Sequence, residues 1–377
     1  MTKKLKVMTV VGTRPEIIRL SATIKLLDEH TDHVLVHTGQ NYDYELNEVF
    51  FEDLGLRQPD HFLNADTSSL GSALGSIIAG TEKVLQEEKP DAFLVLGDTN
   101  SCISALMAKR MKVPVFHMEA GNRSFDENVP EETNRRLVDH ISDYNLVYTE
   151  HGRRNLLGEG IHPSRILLTG SPMREVLDQN REQIDASTIL EDLELEPQGY
   201  FLVSLHREEN VDNPERLAQA VETLRAVRDE YGLPVLVSTH PRTRKRLEAL
   251  GIGEEPGIIF HKPFGFHDYN KLQMESKLVL SDSGTISEES SILGFPAVTL
   301  RDSIERPEAL DAAGIIAVGL DTAPVTEGTK LALRLSESRD SSNAPPEYMV
   351  LDTSRRTAAF MLSSVHSHDR RAGINRA

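Results

Sequence analysis

Tryptophan is absent from this 377-residue chain, and cysteine occurs once, at Cys102. A single thiol rules out an intrachain disulfide and a cysteine-pair zinc site, and it points to the cytoplasm as the natural compartment. Long apolar runs are also missing. None approaches the ~20 residues that span a bilayer, so no membrane partner is expected. The N-terminal "MTKKLKVMTVVGT" starts basic, but its apolar stretch is short and no small-residue cleavage site follows; it reads as a first strand and not as a signal peptide. Positive charge is scarce as well: 41 Lys and Arg stand against 59 Asp and Glu, a net charge of −18. Such a surface repels nucleic acid and anionic membranes. An anionic ligand would need a local basic pocket to hold it against that field.

What is present is a rhythm. Short β-branched runs alternate with amphipathic helical stretches: "KVMTVV" before "PEIIRLSATIKLLDEH", "HVLVHT" before "ELNEVFFEDLGL", "AFLVLG" before "SCISALMAKRM". Strands alternating with helices predict βαβ units and parallel sheets, an α/β fold. The rhythm restarts near residue 195 with "GYFLVSLH", "PVLVSTH", "GIIFHKP", "KLVLSDSG" and "PAVTL". We expect two doubly wound, Rossmann-like domains, 1–172 and 173–352, with a helix over 353–366 and a polar tail over 367–377. A polar helix, "REQIDASTILEDLELEP", is expected to lead into the second domain. "SESRDSSNAPPE" (336–347) reads as a surface loop. Two such domains would face each other across a central cleft, and ligands of this architecture bind at the carboxyl ends of the strands.

Five strand ends carry chemistry-bearing residues. In "VVGTRPEIIR" (10–19), Gly12 and Thr13 offer backbone N–H groups at a helix start and Arg14 adds a guanidinium, an anion site or simply a strand–helix turn. In "VLGDTNSC" (95–102), Asp98 stands just past a buried strand, as a helix cap or as a ligand-binding carboxylate. In "VFHMEAGNRSFDENVPEETNRRLVDHISD" (115–143), Glu119 ends an apolar strand, where a carboxylate needs a raised pKa or a paired cation. Glu131 and Glu132 there open a helix, a placement the macrodipole alone favours. His117-x-Glu119 does not have zinc-site spacing, and no metal is expected. "SLHREENVD" (204–212) puts His206 and Arg207 at another strand end, and "STHPRTR" (238–244) does the same with His240. In "VLSDSGTISEESSILG" (279–294), Ser283, Gly284 and Thr285 form a phosphate-cradle turn at a helix start, and Glu289 inside the helix suits a ribose. A serine-nucleophile reading of Asp-Ser-Gly is weaker, because the G-x-S-x-G elbow is missing.

Taken in order, "VGTRPEIIR", "TGQNYD", "GDTNS", "HMEAGNR", "PEETNR", "HREENVD" and "SDSGTISEESSILGFPAVTLRDSIERPEA" resemble the non-hydrolysing UDP-N-acetylglucosamine 2-epimerases, from about residue 5 to about residue 310. Several motifs look most like the branch that makes UDP-N-acetyl-L-fucosamine from UDP-2-acetamido-2,6-dideoxy-L-talose. The resemblance implies a glycosyltransferase-B-like fold, a C-terminal helix crossing back to the first domain, a homodimer and a UDP-sugar substrate, with no cofactor. By motif it assigns Asp98, Glu119, Glu131 and His206 to catalysis. It assigns Arg14, Arg19, Arg135, Arg207, His240, Ser283, Gly284, Thr285, Glu289 and Arg306 to binding UDP and its sugar. The family route breaks the C1–O bond to UDP, removes the C2 proton to give a 2-acetamidoglycal, and adds UDP back. Three departures stand out: Arg19 replaces the family's lysine, Thr285 its second glycine, and "GQNYDYE" the segment at which many bacterial members bind an activating second UDP-sugar. Rival readings are a retaining glycosyltransferase of the same fold, a hydrolysing 2-epimerase and a non-catalytic UDP-sugar sensor.

Overall fold

The computed structural model describes residues 4–40, 44–337 and 344–374, with side chains at 44–48 left aside. The distinctive part of "GQNYDYE", half of the loop expected at 336–347 and the last residues of the tail lie outside the described residues. The chain forms two compact units, Met1–Gln179 together with Glu347–Ala377, and Asn180–Pro346.

Unit 1 is built on seven strands: β1 (Lys6–Val11), β2 (Asp32–His37), β3 (His61–Phe62), β4 (Ala92–Leu96), β5 (Val115–Met118), β6 (Tyr144–Val147) and β7 (Ile166–Leu168). They pair in the order β3-β2-β1-β4-β5-β6-β7, every neighbour parallel. The strands read as continuous apolar runs because helices cover both faces. All five residues of β4 are buried. Unit 2 repeats the plan with β8 (Phe201–Ser204), β9 (Val235–Ser238), β10 (Ile258–His261), β11 (Leu278–Ser281), β12 (Ala297–Thr299) and β13 (Ile316–Ala317), ordered β10-β9-β8-β11-β12-β13. In each sheet the chain winds outward one way, then returns to the far side of its first strand. The switch points lie between β1 and β4 and between β8 and β11, and ligands of doubly wound sheets gather beside such points.

The expected polar helix before β8 is instead two short ones, Arg181–Asp185 and Ile189–Asp192. Ser187 sits at the break and its hydroxyl accepts the Ile189 N–H at 3.3 Å. A serine of this kind competes with helix continuation by offering the backbone a local partner.

The C-terminal helix Thr353–Ala372 belongs to unit 1 and packs against the helix Arg14–His30. Its Phe360 stands edge-on to Tyr144, with ring centroids 5.4 Å apart, and to Phe116 at 6.2 Å. Where it begins, the buried Glu175 carboxylate accepts the Ser354 N–H at 2.9 Å, and Thr353 Oγ1 donates to the Ser171 carbonyl at 3.1 Å.

Candidate active site

Unit 1 gathers its charges at the ends of β1, β4 and β5. Glu119 follows β5 directly, is 5% exposed, and holds φ at +62°, a left-handed conformation uncommon for a residue with a side chain. Strain of this kind persists only where surrounding contacts over-determine it. The contacts here include an ion pair with Arg19, itself buried on the helix Arg14–His30. A paired cation is thus what the strand-end carboxylate has. Gly97, at φ +74°, turns the chain after β4 so closely that a Cβ there would lie 3.4 Å from Glu119 Oε2. Asp98, the next residue, is ion-paired to Arg135. Asp98 and Glu119 are therefore brought together, each against a buried guanidinium. Arg135 also donates to Glu132 at 2.7 Å. Glu131 is half-buried in the first turn of the same helix, Pro130–Ile141.

Glu132, Glu16 and the His117 cluster were not marked by the motifs as site residues. Glu132 is 2% exposed and accepts from the Ser124 N–H at 3.0 Å and from Arg136 at 3.0 Å. Burial pushes its carboxyl up, but the Ser124 N–H and the charge on Arg135 outweigh that and hold it below the usual range. His117 is fully buried, with Nδ1 2.9 Å from Asp139 and Nε2 2.7 Å from the Gly97 carbonyl, so it secures the turn that carries Asp98. Asp139 also accepts from Arg123 at 2.7 Å.

Glu16 corrects the sequence-based view of Gly12 as a free anion donor. The Glu16 carboxylate already accepts the Gly12 N–H and the Thr13 hydroxyl, each at 2.9 Å. Its other oxygen meets the Ser101 hydroxyl on the turn after β4, so Glu16 ties the Arg14 turn to the Asp98 turn. Thr13-x-x-Glu16 has the spacing of a capping box, a local signal that hides this second use. Arg14 itself lies over the Phe50 ring at 5.7 Å from its centroid.

Burial pushes the Glu16 carboxyl up to about 7, against the hydrogen bonds from Ser101, Thr13 and Gly12 that favour its charged form. The folded protein therefore keeps a proton there that the unfolded chain releases near its ordinary value of 4.5. The stability this contributes is complete below that value and is lost as pH rises through about 7. Glu16→Gln should flatten the dependence of thermal stability on pH between about pH 5 and pH 7, removing a slope worth roughly 3 kcal/mol. Unfolding scans at several pH values check this, and an unchanged slope would show that Glu16 is ionised throughout.

In unit 2 the centre is Asp282, fully buried one residue past β11. It accepts the backbone N–H of His206 at 3.1 Å and of Arg207 at 3.0 Å, and the Asn210 side-chain amide at 3.1 Å. Burial pushes its carboxyl up, but His206 and these hydrogen bonds together hold it below the usual range. The residues after β8 and β11 are thereby fixed to each other. Gly284 leaves room for two cations: a Cβ there would lie 3.5 Å from Arg207 Nη2 and 3.9 Å from Arg306 Nη1. Ser283 and Thr285 share a hydroxyl–hydroxyl hydrogen bond of 2.9 Å beside them. Arg207, Gly284 and Arg306 thus meet, together with the Glu305 carboxylate, whose Oε2 would lie 3.4 Å from that Cβ and is 3.7 Å from Arg207 Nη2.

Arg306 is also engaged on its far side, where Nε and Nη2 each lie 2.9 Å from the buried Glu288 carboxylate. Glu289 accepts from Gln273 at 2.6 Å, and His240 Nδ1 caps the helix Pro241–Ala249 by accepting the Arg242 N–H at 3.3 Å. These contacts join neither Glu289 nor His240 to the Gly284 turn. Among the described residues no group of three or more His, Cys, Asp or Glu is arranged to hold a metal ion, and no helix is long and apolar enough to cross a membrane.

Residues 25–362 match the family model described as UDP-N-acetylglucosamine 2-epimerase. The solved structure of a UDP-N-acetylglucosamine 2-epimerase from Rickettsia bellii is 46% identical, aligns over 99% of this chain and 100% of its own, and gives a TM-score of 0.91. A UDP-GlcNAc 2-epimerase from Methanocaldococcus jannaschii, solved in complex with UDP-GlcNAc and UDP, is 35% identical over 96% of this chain and 100% of its own, with a TM-score of 0.89. A UDP-2,3-diacetamido-2,3-dideoxy-D-glucuronate 2-epimerase from Pseudomonas aeruginosa is 36% identical over 87% of this chain and 92% of its own.

Proposed function

Belonging to the UDP-N-acetylglucosamine 2-epimerase family, the chain is a non-hydrolysing UDP-sugar 2-epimerase, an isomerase, and we propose that it inverts C2 of a UDP-N-acetylhexosamine by eliminating UDP and adding it back. The C2 hydrogen of such a sugar is not adjacent to a ring carbonyl, so direct deprotonation has no stabilised carbanion to form. Breaking the C1–O bond first places cationic charge on the ring and makes that hydrogen acidic. Loss of the C2 proton then leaves a 2-acetamidoglycal and UDP. Protonation on the opposite face of C2 and return of UDP to C1 complete the inversion with atoms and electrons balanced.

The observation that carries this reading is the pairing of Asp98 and Glu119 at adjacent strand ends, each held by a buried guanidinium. Asp98 and Glu131 exchange protons with C2 on its two faces, and Glu119 balances the sugar cation. Arg19 and Arg135 complete the sugar side, and Arg14 helps to hold the departing UDP. On the UDP side, Arg207, Arg306 and the Ser283–Gly284–Thr285 turn take up the charge that the departing diphosphate gains, a preorganised form of stabilisation. His206 serves the glycosidic or diphosphate oxygens, and His240 and Glu289 the nucleoside. UDP-GlcNAc and UDP-ManNAc are the preferred substrate pair. The 6-deoxy-L-talose sugar is the second choice, and proton NMR with each UDP-sugar in turn separates the two. We further propose a cytoplasmic homodimer, checked by sedimentation.

Epimerisation run in D2O should place deuterium at C2 in both epimers, seen as loss of the H2 resonance. Product that keeps hydrogen at C2 would rule out the elimination route.

A further inference from the structure

One carboxylate in unit 2 has no role in the scheme above. Asp282 is 0% exposed and receives two consecutive backbone N–H groups, those of His206 and Arg207. Its Oδ1 also lies 3.2 Å from His206 Nδ1. An ionised carboxylate only accepts hydrogen bonds. The ring nitrogen facing it must therefore carry a proton. The rest of the imidazole is open, the His206 side chain being 46% exposed.

From this geometry we infer that Asp282 is a positioning residue, holding His206 with Nδ1–H directed inward so that Nε2 is the ring atom offered to the substrate. Nε2 then donates when the ring is charged and accepts when it is neutral, while Nδ1–H faces Asp282 and does neither toward the substrate. The same carboxylate fixes the backbone of Arg207 beside Gly284, so the histidine and the phosphate-side arginine are set by one anchor. A buried carboxylate that orients an imidazole and fixes its tautomer is an established device for keeping the reactive nitrogen available. The inference rests on the proposal that His206 takes part in the epimerisation.

The test begins with the unaltered protein. With 15N-labelled histidine at a pH where the ring is neutral, the His206 resonances should report the Nδ1–H tautomer; the Nε2–H tautomer would overturn the inference. Asp282→Asn, whose remaining amide oxygen can still accept the Arg207 N–H, should lower kcat by on the order of 10²-fold or more while KM and calorimetric UDP affinity stay within about threefold. A kcat within about threefold of wild type would also overturn it. Should Asp282→Asn fail to fold, the tautomer measured in the unaltered protein decides alone. His206→Gln, run alongside, separates the two failures. Full turnover there removes His206 from the reaction and the inference with it. Lost turnover in His206→Gln with full turnover in Asp282→Asn sinks only the positioning role.

Discussion

Glu119→Gln is expected to cut kcat by on the order of 10²-fold or more, and to lower stability at the same time. The two effects have different causes. In the proposed scheme the carboxylate balances a developing sugar cation, and a neutral amide cannot. It also balances Arg19, which is buried on the facing helix. Removing one partner of a buried ion pair strands the other charge, at a cost of roughly 3–5 kcal/mol. Turnover must therefore be measured well below the variant's unfolding midpoint. Arg19→Met with Glu119→Gln supplies the control: the double variant should recover much of the stability and none of the turnover. If Glu119→Gln keeps near-normal kcat while folded, Glu119 leaves the catalytic set.

A chain ending after residue 346 is expected not to fold unit 1 at all. The loss is large because the missing segment supplies core and not covering. Met361 and Thr357 are fully buried, and Phe360 packs against Phe116 and Tyr144. Losing one fully buried methionine such as Met361 costs roughly 2–5 kcal/mol, and domains of this size hold only about 5–15 kcal/mol in total. Glu175, 7% exposed, would also lose the Ser354 N–H and hydroxyl that satisfy it. Far-UV circular dichroism and limited proteolysis of the truncated chain check this. A protease-resistant fragment spanning residues 4–179 would contradict it.

The alternating rhythm of strand and helix announces the two Rossmann-like sheets of a glycosyltransferase-B-like fold, because parallel strands buried on both faces must be apolar throughout. Where the rhythm weakens, elements pass unseen. β3, β7 and β13 are two or three residues long, too short for any period to register. The helix Leu70–Glu88 was not evident either, since Gly71, Gly75 and Gly80 weaken its helical signal. Site residues at strand ends are visible because a charge there contradicts its apolar surroundings. Which cation each one pairs with is not. Arg19 and Glu119 stand 100 positions apart, and no local spacing couples them. Glu16 and Asp282 hide behind ordinary local explanations, a capping box and a small-residue turn, and only the fold reveals that each also fastens a second strand end.

Unit 1 is made of two stretches of chain with unit 2 lying between them in sequence. During translation, which runs from the N-terminus, residues 4–179 emerge first yet lack their closing helix until the codons for Thr353–Ala372 are read. Unit 2, one uninterrupted stretch, has all its residues before then. The ribosome thus delivers the later unit complete while the earlier one still waits, leaving Phe116, Tyr144 and their neighbours in want of shelter for the time it takes to synthesise nearly half the protein.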